Sequence, residues 1–240
     1  MSERNARYLF FGSRAAHLRL AGLTGLVTIL CAILAFSFDR EIALGIREGL
    51  SKETRNAFLP ITELGKADWY LVVIVLTYLV GRIAMLRAAP MAVAKAWYDL
   101  SRMCTFMLAG LGFAAVIVHI LKLSVGRARP KALFREDVYG AQPFAFDLDL
   151  NSFPSGHSQT IWCLMSALVI LFPRGWPLFV GWAVLVSSSR LVVGAHFPSD
   201  VLMGSFIAIV SVLFVHQKWF ADVRPPNFRQ HLISDEDLRK

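Results

Sequence analysis

The sequence predicts an all-α polytopic membrane protein, a bundle of six transmembrane helices with its chemistry at the outer membrane face. Three observations predict it. Hydrophobic residues make up 56% of the 240, and mean hydropathy is +0.54, far too apolar for a soluble chain. The apolar residues gather into six runs near the length that a spanning helix needs, about 20 residues. The ionisable residues within or beside those runs collect on one side, and such groups are costly enough in a membrane to mark function.

The first run extends from Leu18 to Phe38. Arg4, Arg7 and Arg14 precede it and Arg19 lies at its start, but it is too long for a cleaved secretory signal and no small-residue cleavage site follows. The second extends from Trp69 to Leu86, and the third from Met103 to Ser124. The fourth, Gly156 to Phe172, ends before Pro173 and is the shortest. The fifth extends from Trp176 to Val193, and the sixth from Pro198 to Val215. Helices are expected because backbone groups in lipid must be satisfied within their own segment. Trp69, Tyr70, Trp97, Tyr98, Trp176 and Trp219 sit near span ends, as interfacial aromatics do.

An even number of spans puts both termini on one side. Of the 25 Lys and Arg, 14 fall in segments on that side and nine in the opposite loops. The positive side is the inner one. The termini, with a short charged tail over 221–240, are therefore expected in the cytoplasm. In a bacterial inner membrane the opposite, outer face is periplasmic. The outer connection Asp39–Asp68 carries Ile42, Ile46 and Leu50 at helical spacing, so part of it is expected to lie along the membrane surface. The other, Gly126–Phe153, is polar. With no repeat or low-complexity tract, the chain reads as a single domain over 1–240. Residues 1–100 supply two spans and the interfacial loop, and residues 122–200 carry the chemistry.

The formal charge is +8 and the pI about 9.8. The basic residues lie between apolar runs, as beside anionic lipid, and build neither a basic face nor a nucleic-acid module. A lipid bilayer is the expected partner, and nucleic acid is not. Cys31, Cys104 and Cys163 are too few, and odd in number, for a disulfide framework and read as packing residues. Gly22, Gly25, Gly110 and Gly112 read as helix-packing positions.

Lys122 ends the third run, and Arg129-Pro130 follows. Pro154-Ser155-Gly156-His157 opens the fourth, Ser189-Arg190 ends the fifth, and His196 and Asp200 begin the sixth. Three cations, Lys122, Arg129 and Arg190, ask for a multiply charged anion, and arginine forks suit phosphate oxygens. Ser155 and Gly156 start a helix whose free N–H groups would face the same anion. Asp200 lies one turn beyond His196, near enough to hold one imidazole nitrogen and leave the other free to attack phosphorus. His157 faces it as general acid, and then as the base that activates water. Asp147, Asp149 and His157 are too few for a hydrolytic metal site. His119 reads as a packing histidine. Arg127, Lys131 and Arg135 read as loop residues.

The three blocks, in order, resemble the signature of the type 2 phosphatidic acid phosphatase superfamily, whose membrane members are six-helix lipid phosphatases with a haloperoxidase-like fold. They are Lys122 with Arg129-Pro130, Pro154-Ser155-Gly156-His157, and Ser189-Arg190 with His196 and Asp200. The resemblance spans Lys122 to Asp200. It implies His196 as nucleophile, Asp200 as its orienting partner and His157 as general acid. It implies Lys122, Arg129, Ser155, Gly156 and Arg190 as phosphate ligands. It also implies catalysis without a metal ion or other cofactor.

The expected activity is hydrolysis of a phosphomonoester or diphosphate on a lipid that reaches the site with its tail still in the bilayer. Undecaprenyl diphosphate, phosphatidylglycerol phosphate, phosphatidic acid and lipid A phosphate are the candidate substrates. Two other classes stay open: a phosphotransferase using the same phosphohistidine, and a non-enzymatic scaffold or transporter, which has no need of the His and Arg spacing.

Overall fold

The computed structural model describes residues 13–87, 91–144 and 150–226. Ten α-helices run through them: α1 (Arg14–Ser37), α2 (Asp39–Gly49), α3 (Lys52–Ala57), α4 (Leu59–Glu63), α5 (Ala67–Arg87), α6 (Met91–Val125), α7 (Pro130–Glu136), α8 (Gly156–Leu171), α9 (Trp176–Val192) and α10 (Pro198–Trp219). A short 3-10 turn over Pro173–Gly175 joins α8 to α9. No named strand occurs among the described residues; Arg127 and Ala141 form an isolated bridge.

The start signals are chemical. Ser13 and Ser51 cap α1 and α3, their hydroxyls accepting from Ala16 N and Thr54 N at 3.1 Å each. Proline occupies the first turn of α7, α9 and α10, where its missing N–H costs nothing. All six apolar runs are helical. Helices α1, α5, α6 and α10, and α9 together with the 3-10 turn that precedes it, are long and apolar enough to cross a membrane, and α8, with 16 residues, is shorter. The protein is an integral membrane protein. Helix α6 exceeds its expected length, starting at Met91 rather than near Met103.

Helix α10 is central, packing on α6, α8 and α1, while α5 lies outside against α6. Half of the apolar window of α10 is buried, against 6% in α1. Phe106 and Val118 of α6, Ile161 and Leu164 of α8, Val186 of α9 and Val212 of α10 meet in the core. Lipid tails are as apolar as leucine, so close packing rather than water exclusion holds such helices together. A Cβ at Gly110 would lie 3.1 Å from Val212 Cγ2, so this glycine is a packing position as expected. Gly22, Gly25 and Gly112 have nothing within 4 Å of that position among the described residues. The three cysteines are buried and free.

The apolar spacing after Asp39 does form a helix, α2, but its buried residues are Asp39 and Ala43. Ala43 packs with Leu133 and Phe197. Ile42 stays 37% exposed, while Ile46 and Leu50 are half-buried and follow Asp39 and Ala43 on one helical face. Of the charged tail, residues 221–226 are described, and Asp222 pairs with Arg102 at 2.9 Å. Arg4, Arg7, Asp147, Asp149 and residues 227–240 lie outside the described residues.

Candidate active site

The helix directions bring the signature to one end of the bundle. Helices α6 and α9 end there, with Lys122 and Arg190 in their last turns. Helices α8 and α10 begin there, at Gly156 and Pro198. Arg190 O accepts from Ala195 N at 3.0 Å and His196 N at 3.3 Å. That closed turn holds Arg190 and His196 side by side. Ser155 N donates to Asp200 O at 2.9 Å, which ties the start of α8 to that of α10. A Cβ at Gly204 would collide with Ser155 O, so only glycine lets α10 approach this closely.

Asp200 is fully buried and surrounded by donors. Its Oδ2 accepts from Ser152 Oγ at 2.6 Å and from Phe197 N at 2.8 Å. Its Oδ1 accepts from Arg127 Nη1 at 2.9 Å. His196 Nδ1 lies 3.5 Å from Oδ2, at the outer limit of a hydrogen bond, and forms no shorter one. The imidazole is therefore oriented by Asp200 but held loosely. Burial pushes the His196 pKa down to about 4, against the pull of Asp200. The ring is neutral at physiological pH, as a nitrogen nucleophile must be.

On the other side stand the cations. The charges of Arg190 and Lys122 reach His196, and those of Arg190, His196, Lys66 and Arg129 reach His157. Lys122 Nζ donates to Asn151 O at 2.6 Å. Arg190 Nη1 donates to Thr62 Oγ1. Arg129 Nε and Arg190 Nε are buried and have no partner among the described residues. A buried N–H without an acceptor costs about 1–3 kcal/mol, and an anion here would remove that cost twice. The N–H groups of Gly156 and His157, in the first turn of α8, have no intrahelical acceptor.

The structure thus brings Lys122, Arg129, Gly156, His157, Arg190, His196 and Asp200 to one place. Ser155 is there too, but it is fully buried and its Oγ is engaged with Ser158, accepting from N at 3.4 Å and from Oγ at 3.1 Å. It fixes the start of α8. His119 lies outside the site, exposed, with Nδ1 2.8 Å from the carbonyl of Ala115. Among the described residues, no group of three or more His, Cys, Asp or Glu could hold a metal ion.

Several site residues were not visible in the motif blocks. Arg127, expected to be a loop residue, is 7% exposed. Its Nη2 lies 2.9 Å from Asp39 Oδ2 and donates to Tyr139 OH at 2.9 Å, and its Nη1 also donates to Ser199 Oγ at 2.7 Å. The loop delivers it through Gly126, at φ 59, where any Cβ would run into Gln142 O. Asp39, fully buried, further accepts from Ser199 N at 3.2 Å and from Ser199 Oγ. Thr62 and Gly65 form another wall, since a Cβ at Gly65 would stand 3.0 Å from His157 Cβ and Cδ2. The one sequence signal for these residues was an acid immediately after an apolar run, at Asp39.

The chain is similar to known proteins. Residues 104–224 match the family described as the PAP2 superfamily. The chain is 30% identical over 175 residues to a lipid A 1-phosphatase of Rhizobium etli, covering 72% of this chain and 73% of that protein. It is 36% identical over 104 residues to an undecaprenyl-diphosphatase of Sulfolobus acidocaldarius, covering 41% of this chain and 48% of that one. A transmembrane PAP2 type phosphatidylglycerolphosphate phosphatase from Bacillus subtilis shares the fold, with a TM-score of 0.59 and 24% identity, over 84% of this chain and 95% of that chain.

Proposed function

The chain belongs to the PAP2 superfamily and is a membrane phosphatase, and from that premise we propose that it hydrolyses a phosphomonoester or diphosphate on a membrane lipid through a phosphohistidine at His196. The observation that carries this reading is the pair of buried, unpartnered guanidinium nitrogens, Arg129 Nε and Arg190 Nε, on the cationic side of a neutral histidine. Such a cradle is made for phosphate oxygens, and the histidine beside it has a lone pair to offer.

The steps follow from the residues. Lys122, Arg129, Arg190 and the first N–H groups of α8 balance charge on the phosphoryl oxygens. His196 Nε2 attacks phosphorus, and the N–P bond forms as the P–O bond to the lipid breaks. With the anionic phosphate beside it offsetting the neighbouring cations, His157 is protonated, and it gives that proton to the departing oxygen. Positive charge that develops on His196 faces Asp200. His157 then takes a proton from water, whose oxygen attacks phosphorus. The N–P bond breaks, its electron pair returns to Nε2, and inorganic phosphate leaves. Ser155 serves this chemistry by holding Gly156 in place.

Lipid A phosphate, undecaprenyl diphosphate, phosphatidylglycerol phosphate and phosphatidic acid are the substrates to test, the first three matching the named activities of the relatives. The same reading puts the termini in the cytoplasm and the site at the periplasmic face of a bacterial inner membrane. The test is phosphate release by the purified chain from each of the four lipids with a chelator present. Release from at least one supports the reading. Absence of release from all four, or full activity in His196→Ala, contradicts it.

A further inference from the structure

A concave surface beside the catalytic turn is used by none of these steps. A cavity of about 200 Å³ is lined by Arg47 of α2, Arg55 of α3, Lys131, Phe134 and Arg135 of α7, and Gly194. A second hollow shares Arg47 and Arg55 with it and adds Lys52. Five cations line the two, and no carboxylate does. Among the described residues none of the five forms an ion pair.

Two of the five are held in place. The Arg47 guanidinium lies over the Phe134 ring, 5.3 Å from its centre. Arg55 Nη1 donates to Arg47 O at 2.9 Å and to Leu50 O. Like charges fixed around a hollow repel one another and concentrate anions there. The remaining wall is the link between Arg190 and His196. Gly194 sits in it at φ 65, where a Cβ would come within 2.8 Å of Phe134 Cε2. Gly194 is two residues from His196, so their Cα atoms are at most about 7 Å apart. The cavity adjoins the catalytic turn, and neither Arg190 nor His196 lines it.

We propose that this cavity is a second anion site, which takes a phosphate-type group while the scissile phosphate sits at His196. The group belongs either to the same lipid, as a second phosphate, or to a neighbouring anionic lipid. That an anion binds here is independent of the catalytic reading; its use in choosing substrate rests on that reading.

The test uses methylenediphosphonate, a diphosphate mimic that cannot be hydrolysed, titrated calorimetrically into the full chain in neutral detergent. Wild type binds two equivalents. Lys131→Ala/Arg135→Ala binds one, and Arg190→Ala loses the other. Lys131 and Arg135 are exposed, so this variant is the least disruptive; its melting temperature reports folding, and Arg47→Ala is the second variant. An isotherm of either folded variant identical to wild type overturns the proposal, whether or not the protein proves to be an active phosphatase. Kinetics then separate the sources. A second phosphate on the substrate predicts that KM for a bisphosphorylated lipid, relative to a monophosphorylated one, rises about tenfold in the variant. A neighbouring lipid predicts that phosphatidylglycerol stimulates wild type in mixed micelles and does not stimulate the variant.

Discussion

Arg127 Nη1 lies 2.9 Å from Asp200 Oδ1, in a buried ion pair with the carboxylate that His196 faces. The same guanidinium reaches Asp39 at 2.9 Å, so one cation serves two fully buried carboxylates. Through Asp39 and Ser199, the junction of α1 and α2 is tied to the first turn of α10. The cluster of Arg127, Asp39 and Asp200 carries a formal charge of −1 beside His196, whereas Lys122, Arg129 and Arg190 carry +3.

Removing Arg127 leaves two buried carboxylates without their cation. Breaking such a pair costs about 3–5 kcal/mol. Arg127→Met is therefore expected to lower the melting temperature in detergent and to reduce kcat by at least about 100-fold. Asp39→Asn in the same chain removes one of the stranded charges. The double variant is expected to be more stable than Arg127→Met alone, and a double-mutant cycle on melting measures that coupling.

Thr62 holds Arg190 from a helix far away in sequence. Thr62→Val keeps the volume and removes the acceptor. A hydrogen bond to a charged group contributes about 1.5–3 kcal/mol. With Arg190 less well aimed, KM is expected to rise about tenfold and kcat to fall less than about threefold, as initial rates against lipid phosphate will show.

Gly65→Ala tests the wall behind His157. The added methyl would press on the imidazole at 3.0 Å and on Val186 Cγ1 at 3.2 Å. A displacement of well under 1 Å in a general acid is expected to reduce kcat about 10- to 100-fold while the melting temperature falls by only a few degrees.

The buried neutral state of His196 makes stability depend on pH. Its ordinary pKa is 6.5 and its folded one about 4. Between these values the unfolded chain binds the extra proton and the folded one does not. The contribution is thus fully present above about pH 6.5 and is lost as pH falls toward 4, by on the order of 3 kcal/mol. Melting curves of wild type and His196→Gln from pH 7.5 to 4 should converge or cross in that direction. A constant difference would show that His196 does not titrate this way.

Much of this site was legible in the sequence because its chemistry is local. His196 and Asp200 are one turn apart, and Ser155-Gly156-His157 is a contiguous helix start, so spacing alone placed them. Apolar runs located every long helix for the same reason. Arg127 was not legible, since a charged residue in a polar loop looks solvated until its partner is known. That partner, Asp39, is 88 positions away by numbering. Thr62 and Gly65 escaped notice because neither a hydroxyl acceptor nor a missing side chain has a sequence period. The Ile42–Leu50 stripe pointed to a helix, but the most buried positions of α2, Asp39 and Ala43, are set by tertiary contacts such as those of Ala43 with Leu133 and Phe197.

The central claim is a covalent intermediate on His196. Phosphatidic acid labelled in its phosphate, mixed with the purified chain and quenched under alkaline conditions within milliseconds, tests it directly. The account predicts an acid-labile, alkali-stable label that peptide mass spectrometry assigns to His196 and that is absent from His196→Gln. Phosphate release at the wild-type rate by His196→Gln, or a label on another residue, would contradict it.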